Sequence, residues 1–323
     1  MATNTIKQVL TDLSPLIKVY EDGTVERLMG APFFPPSPED PATGVASKDI
    51  IISLEVQARL FLPKNAESSQ KLPILVYYHG GGFCIGSALS FLEQRYMNIL
   101  AVEAKALIVS VEYRLAPEHP LPVAYEDSWT ALQWVASHVV ANTSIEKDPW
   151  LTKHGDFGRI YIGGDSAGGN IAHNIAIQAG VEPLPGDVKI LGSFLSHPFF
   201  WGSKPIGSES KEDFDGQHLS CRIWSCVYPS APGGIDNPMI NPFADNAPSL
   251  SGMACSRLLV CLAEKDVLTP RGVVYAETVK KSGWNGEVQM VVVEGEDHCF
   301  HFFDPHTEKA KDLIKSLASF ISL

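Results

Sequence analysis

Ser166 stands in the run Ile160-Tyr161-Ile162-Gly163-Gly164-Asp165-Ser166-Ala167-Gly168-Gly169-Asn170, with glycine two places before it and two places after. A serine hydroxyl attacks a carbonyl carbon only when it is held clear of the backbone and given a base. Small residues at 164 and 168 permit the tight strand-to-helix turn that meets the first condition. The flanks agree, since a strand-like run precedes the motif and a helical run, Ile171 to Ala179, follows it. Alone, G-x-S-x-G arises by chance in roughly one chain in ten at ordinary Gly and Ser frequencies, so a second feature must separate it from a capped turn. That feature is His79-Gly80-Gly81-Gly82-Phe83, directly after the apolar run Leu72 to Tyr78. Three successive glycines leave backbone N–H groups uncovered, and donors fixed in this way can hold the oxygen of a tetrahedral intermediate.

The two motifs in this order are the mark of α/β-hydrolase esterases and lipases, in which the triad runs Ser, then Asp or Glu, then His. Downstream of Ser166 the histidines are His197, His218, His298, His301 and His306. His298 ends the polar turn Glu294-Gly295-Glu296-Asp297-His298 after the strand-like Val288 to Val293, where a strand-end loop would deliver it. His301 and His306 read as surface or core-edge residues. His197, before Pro198, could line a pocket but leaves no room for an acid between itself and Ser166. The run Leu258 to Leu262 ends in Ala263-Glu264-Lys265-Asp266, which gives two acids. Asp266 lies beyond the strand end and is the better placed; Glu264 is the alternative. Asp165 reads equally as a support of the serine turn or as an ordinary turn aspartate. Phe83, Trp201, Phe214 and Trp224 are candidate pocket walls, with plain packing as the competing reading. The acidic stretch Glu209 to Asp215 reads as solvated loop.

To bring such residues together the chain needs strands that end at one sheet edge. Leu72 to Tyr78, Leu107 to Val111 and Ile160 to Gly163 are short Val-, Ile- and Tyr-rich runs of the kind buried on both faces of a parallel sheet. Ala124 to Val140 places Trp129, Leu132, Ala136 and Val139 at helical spacing and supplies a crossover. Val188 to Leu195, Arg257 to Leu262 and Val288 to Val293 extend the strand series, and Thr307 to Leu323 is a closing amphipathic helix. Alternation of this kind predicts a mostly parallel central sheet with helices on both faces. Upstream, Asp22-Gly23 between Val19-Tyr20 and Val25 reads as a hairpin, Ala31 to Thr43 is Pro-rich and irregular, and Asp49 to Leu62 holds one or two strands. Residues 197–254 are rich in Gly, Pro, Ser and aromatics. They read as an insertion with a helix near His218 to Val227, and with the arm of residues 1–30 they are expected to form a lid on a single unit spanning 1–323.

Composition narrows the function classes. The 323 residues are 45% hydrophobic and 19% charged, and 37 Asp and Glu against 25 Lys and Arg give a formal charge of −12. A phosphate backbone or an anionic membrane is repelled on average by that balance, so nucleic acid and membrane are not expected partners. Six scattered cysteines without a CxxC pair point to reduced thiols, with no zinc site and no metal requirement. The start lacks a signal-like apolar run, which makes the cytoplasm the expected compartment and Asn142-Thr143-Ser144 a chance match to a glycosylation acceptor.

With HGGGF and GDSAGGN, the segment Glu112-Tyr113-Arg114-Leu115-Ala116-Pro117-Glu118-His119-Pro120 and the pair Asp266/His298 make the chain resemble the plant carboxylesterases of the hormone-sensitive-lipase group. The resemblance runs from Leu16 to the last helix. It implies an α/β-hydrolase fold with Ser166 as nucleophile, His298 as general base, Asp266 as the carboxylate behind it, and the backbone amides of Gly81, Gly82 and Ala167 as oxyanion donors. The implied substrate is a small-molecule ester or plant specialised metabolite, with no cofactor. The group also holds 2-hydroxyisoflavanone dehydratases, alkaloid cyclases and gibberellin receptors. The receptors lack the histidine that is present here as His298, and cyclases often alter glycines that are whole here. The resemblance therefore implies an enzyme, with ester hydrolysis first and a lyase reaction second.

Overall fold

The computed structural model describes residues 7–64, 71–141, 146–209 and 218–322. Phe214 and the Asn142-Thr143-Ser144 sequence lie outside the described residues. In chain order the strands and helices are β1 (Val9–Leu13), β2 (Ile17–Tyr20), β3 (Val25–Arg27), β4 (Ala46–Ile51), β5 (Gln57–Leu62), β6 (Leu72–Tyr78), α1 (Phe91–Ala104), β7 (Leu107–Glu112), α2 (Val123–Ser137), α3 (Pro149–His154), β8 (Gly155–Asp165), α4 (Ala167–Val181), β9 (Ile190–Ser196), α5 (Leu219–Val227), β10 (Arg257–Ala263), α6 (Thr269–Lys281), β11 (Glu287–Val293), α7 (Phe300–Phe303) and α8 (Glu308–Ser322).

Eight strands form the main sheet in the order β11-β10-β9-β8-β6-β7-β5-β4. The pairs from β11 through to β7 are parallel, whereas β5 is antiparallel to β7 and to β4. β6 shows why the strands read as continuous apolar runs. Ile74, Val76 and Tyr78 enter one core with side chains of α2, α4 and α6, while Leu75 and Tyr77 enter the other with α1 and α8. The two-residue period of a strand sends alternate residues to opposite faces, and both faces are covered. The Asp22-Gly23 hairpin joins β2 to β3, and β1 completes a separate three-stranded antiparallel sheet. Arg27 of β3 ties this sheet to the main body through Glu118 on two bonds of 2.8 Å and the carbonyl of Cys84.

Residues of the 197–254 stretch belong to the same core as the sheet: Phe199, Phe200, Trp201, Ile223, Trp224, Val227 and Ile240 are all buried in it. Glu209 is no solvated loop residue, for its carboxylate meets the guanidinium of the buried Arg271 at 2.7 and 2.9 Å. A charge is removed from water only when it is paired in this way. Among the described residues no helix is long and apolar enough to cross a membrane.

Candidate active site

β8 runs straight into α4, and Ser166 between them takes φ +57° and ψ −115°. A non-glycine residue held there stores about 1–3 kcal/mol of strain and persists only where its surroundings fix it. The fixing bonds are explicit: Ser166 N–H donates to Ser196 O at 2.8 Å, and Phe199 N–H donates to Ser166 O at 3.0 Å. Asn170 clamps the next turn, donating to the carbonyls of Phe199 and Met239 while accepting from the Tyr125 hydroxyl at 2.7 Å. The glycines of the motif are required by contact. A Cβ on Gly164 would stand 2.2 Å from the Tyr78 carbonyl oxygen, and one on Gly168 only 1.9 Å from it. Gly168→Ala therefore forces the elbow off β6 and is expected to cost about 3 kcal/mol or more, read as a lowered midpoint in chemical denaturation; an unchanged midpoint would show that the turn is not so tightly packed.

β6 ends beside the elbow and continues into the glycine loop. Gly81 has φ +111°, and a Cβ there would stand 2.2 Å from the carbonyl oxygen of Ile85, so only glycine fits. Tyr113 supports the loop from behind, donating its hydroxyl to His79 O at 2.8 Å and stacking on the His79 ring. Arg114 donates to both oxygens of Asp127 and fixes the neighbouring turn. Among the described residues the backbone N–H groups of Gly81, Gly82 and Ala167 have no hydrogen-bond acceptor. That of Ala167 belongs to the first turn of α4, where intrahelical partners are missing by geometry.

β10 and β11 deliver the other two side chains. Asp266 follows β10, 1% exposed at its side chain, with Oδ1 accepting from Leu268 N–H at 2.9 Å. Its Oδ2 lies 2.7 Å from His298 Nδ1, and His298 Nε2 lies 2.9 Å from Ser166 Oγ. A carboxylate can only accept, so Nδ1 carries the proton and Nε2 is left to accept from the serine. Burial disfavours a charge on His298, but the Cys299 sulfur and the Asp266 carboxylate beside it prevail and raise its pKa well above 6.5. Glu264 is exposed and accepts instead from Gly295 N–H at 2.7 Å.

The remaining sequence candidates separate. A cavity of about 690 Å³ opens at Ser166 and His298 and is walled by Leu16, Met29, Ile85, Leu219, Ile223 and Phe302, among others. Phe83, Trp201 and Trp224 do not line it, which corrects their reading as pocket walls. Phe83 is buried edge-on to Trp224, whose indole N–H donates to Gly234 O at 2.9 Å. α5 turns Trp224 into the core and presents Leu219 and Ile223 to the cavity. Trp201 stacks on His218, which does line the cavity. His306 is exposed, but His301 is wholly buried, contrary to its reading as a surface or core-edge residue. Its Nε2 stands 3.0 Å from Asp165 Oδ1, within pairing range though off line for a hydrogen bond. No sequence signal near Leu16 or Met29 marked them as cavity residues; they arrive through the three-stranded sheet.

The fold and this constellation define an α/β hydrolase. The chain belongs to that family: residues 75–302 match a family model described as alpha/beta hydrolase fold. It is 55% identical over 323 residues to the 2-hydroxyisoflavanone dehydratase of Glycyrrhiza echinata, covering 99% of this chain and 98% of that one. It is 42% identical over 321 residues to the probable carboxylesterase 2 of Arabidopsis thaliana, covering 99% and 98%. Among solved structures, the hyperthermophilic esterase of Pyrobaculum calidifontis superposes with a TM-score of 0.66 at 31% identity, covering 85% of each chain. The chain is thus an enzyme of the α/β-hydrolase superfamily in the group of plant carboxylesterases and dehydratases.

Proposed function

We propose that the protein is a serine carboxylesterase acting on small to medium apolar esters. The observation that carries the reading is the continuous path Asp266 Oδ2, His298 Nδ1, His298 Nε2, Ser166 Oγ, with links of 2.7 and 2.9 Å, at the floor of a largely apolar cavity. Ser166 Oγ attacks the ester carbonyl as its proton passes to His298 Nε2. The carbonyl π electrons move to oxygen, and the amides of Gly81, Gly82 and Ala167 receive the resulting negative charge. The imidazolium then gives its proton to the departing alcohol, leaving Ser166 acylated, and water repeats the sequence to release the acid. Asp266 keeps the imidazole in the required tautomer and balances its charge. Each oxyanion donor is worth about 3–4 kcal/mol of barrier.

The raised pKa of His298 fixes a pH dependence. The base must be neutral to accept the serine proton, so a pKa above 6.5 keeps it protonated, and the enzyme slow, on the acid side. The kcat/KM for an ester should climb with pH along a single limb centred above 6.5. A limb at or below that value would contradict the arrangement.

A lyase reading is favoured by the 55% identity to a protein named 2-hydroxyisoflavanone dehydratase. There His298 would remove a proton next to a ketone, the glycine loop would hold the enolate oxygen, and the hydroxyl would leave as water on taking that proton back from the imidazolium. A panel of apolar esters and of 2-hydroxyisoflavanones, with products identified by mass spectrometry, separates the two. Acid and alcohol from the esters support the proposal, and dehydration without any ester cleavage rejects it.

A further inference from the structure

Beneath the elbow lies a second aspartate–histidine group that the proposed reaction leaves unused. Asp165, His197 and His301 are 2%, 0% and 0% exposed, and one side-chain nitrogen or oxygen of each lies within 4.8 Å of the others. Asp165 immediately precedes Ser166. His301 follows His298 by three residues, on α7, and faces Asp165 Oδ1 at 3.0 Å. The other oxygen of Asp165 accepts from the Tyr77 hydroxyl on β6. His197 stacks on His301, with centroids 5.4 Å apart, and meets the His298 ring edge-on at 5.7 Å. Its Nδ1 is 2.9 Å from Ser196 Oγ, and its backbone N–H donates to Cys261 O, on the strand that leads to Asp266.

We propose that Asp165, His197 and His301 are a positioning unit that holds the segment bearing His298 in register with the elbow bearing Ser166. The proposal rests on the serine-hydrolase reading above. A buried acid–imidazole pair contributes little to stability compared with apolar residues of the same shape, because taking its polar groups out of water offsets their attraction. What the pair does supply is a short polar contact between the two segments. It joins residue 165 to residue 301 across the gap that Ser166 and His298 must close to 2.9 Å. His197 packs edge-on against the His298 ring, with centroids 5.7 Å apart, and limits where that ring can move. Burial holds His197 neutral, with its pKa down at about 3, so this wall adds no charge beside the base.

The test is kcat per active site, with sites counted by stoichiometric labelling with a fluorophosphonate, in three variants. Asp165→Asn/His301→Leu removes the carboxylate, the imidazole and the contact between them, so no buried carboxylate is stranded. His301→Gln retains a donor that can still reach Asp165. Ser166→Ala is the control. Misplacement of a reacting group by a fraction of an ångström to 1 Å slows a reaction by about 10- to 100-fold, so the double variant is expected to melt cooperatively and lose that much kcat per labelled site, with KM little changed and His301→Gln in between. A folded double variant at wild-type kcat per site overturns the proposal, as does a loss lying wholly in the labelled fraction. If the double variant does not fold, a folded His301→Gln at wild-type kcat per site overturns it equally. Should Ser166→Ala turn over esters as the wild type does, the hydrolase reading itself fails and the positioning role falls with it.

Discussion

Replacing Ser166 by alanine lowers ester turnover by about 10⁴- to 10⁶-fold. The hydroxyl at 2.9 Å from His298 Nε2 is the nucleophile of the proposed reaction, and a water in its place would lack both the covalent intermediate and the fixed approach. The fold should survive. Alanine retains the Cβ and suffers the same strain at φ +57°, and the bonds that pin the elbow, from Ser166 N–H to Ser196 O and from Phe199 N–H to Ser166 O, are all backbone. Kinetics on a variant of unchanged melting temperature check this, and retention of more than about 1% of wild-type kcat would show that another group does the chemistry.

The second large effect comes from an isosteric change. Asp266→Asn is expected to lower kcat by about 10⁴-fold with little change in KM. The physical reason lies in the hydrogen bonds around the carboxylate. Oδ1 of Asp266 already accepts from Leu268 N–H at 2.9 Å, so an asparagine places its carbonyl oxygen there and turns its NH₂ toward His298 Nδ1. Nδ1 must then accept, the ring proton moves to Nε2, and the imidazole can no longer take the proton of Ser166. Loss of the carboxylate also removes one of the influences that raise the His298 pKa, so the residual activity should show its acid limb at lower pH than the wild type. Near-normal kcat with an unshifted limb would mean that Asp266 does not hold the imidazole.

The fold was legible wherever side chains alternate between two apolar faces. β6, β7 and the Ile160–Gly163 part of β8 stood out as Val-, Ile- and Tyr-rich runs, β9 to β11 as further strand candidates, and the glycines at 164 and 168 announced the turn that the Tyr78 carbonyl imposes. α1 was not legible, because its inner face carries Glu93, Gln94 and Asn98, which are buried by hydrogen bonding instead of by apolar contact. α6 was hidden in the same way by the buried Arg271. The residues that meet at the candidate site could be read from short motifs, because a tight turn or a bare amide has strict local requirements. The cavity walls could not, since Leu16, Ile223 and Phe302 meet only in three dimensions. Aromatic residues drew attention to α5, yet the side of that helix facing inward took Trp224 into the core. His301 stands in a run of polar residues and aromatics whose pattern carries no trace of Asp165, more than a hundred positions away.

The most direct measurement of the central claim is intact-protein and peptide mass spectrometry after incubation with a fluorophosphonate. A phosphonyl adduct on the peptide containing Ser166, one per chain, formed rapidly in the wild type, slowly in His298→Gln and never in Ser166→Ala, is the predicted result. Ester turnover that persists while Ser166 stays unlabelled, or an adduct located on another residue, would contradict it.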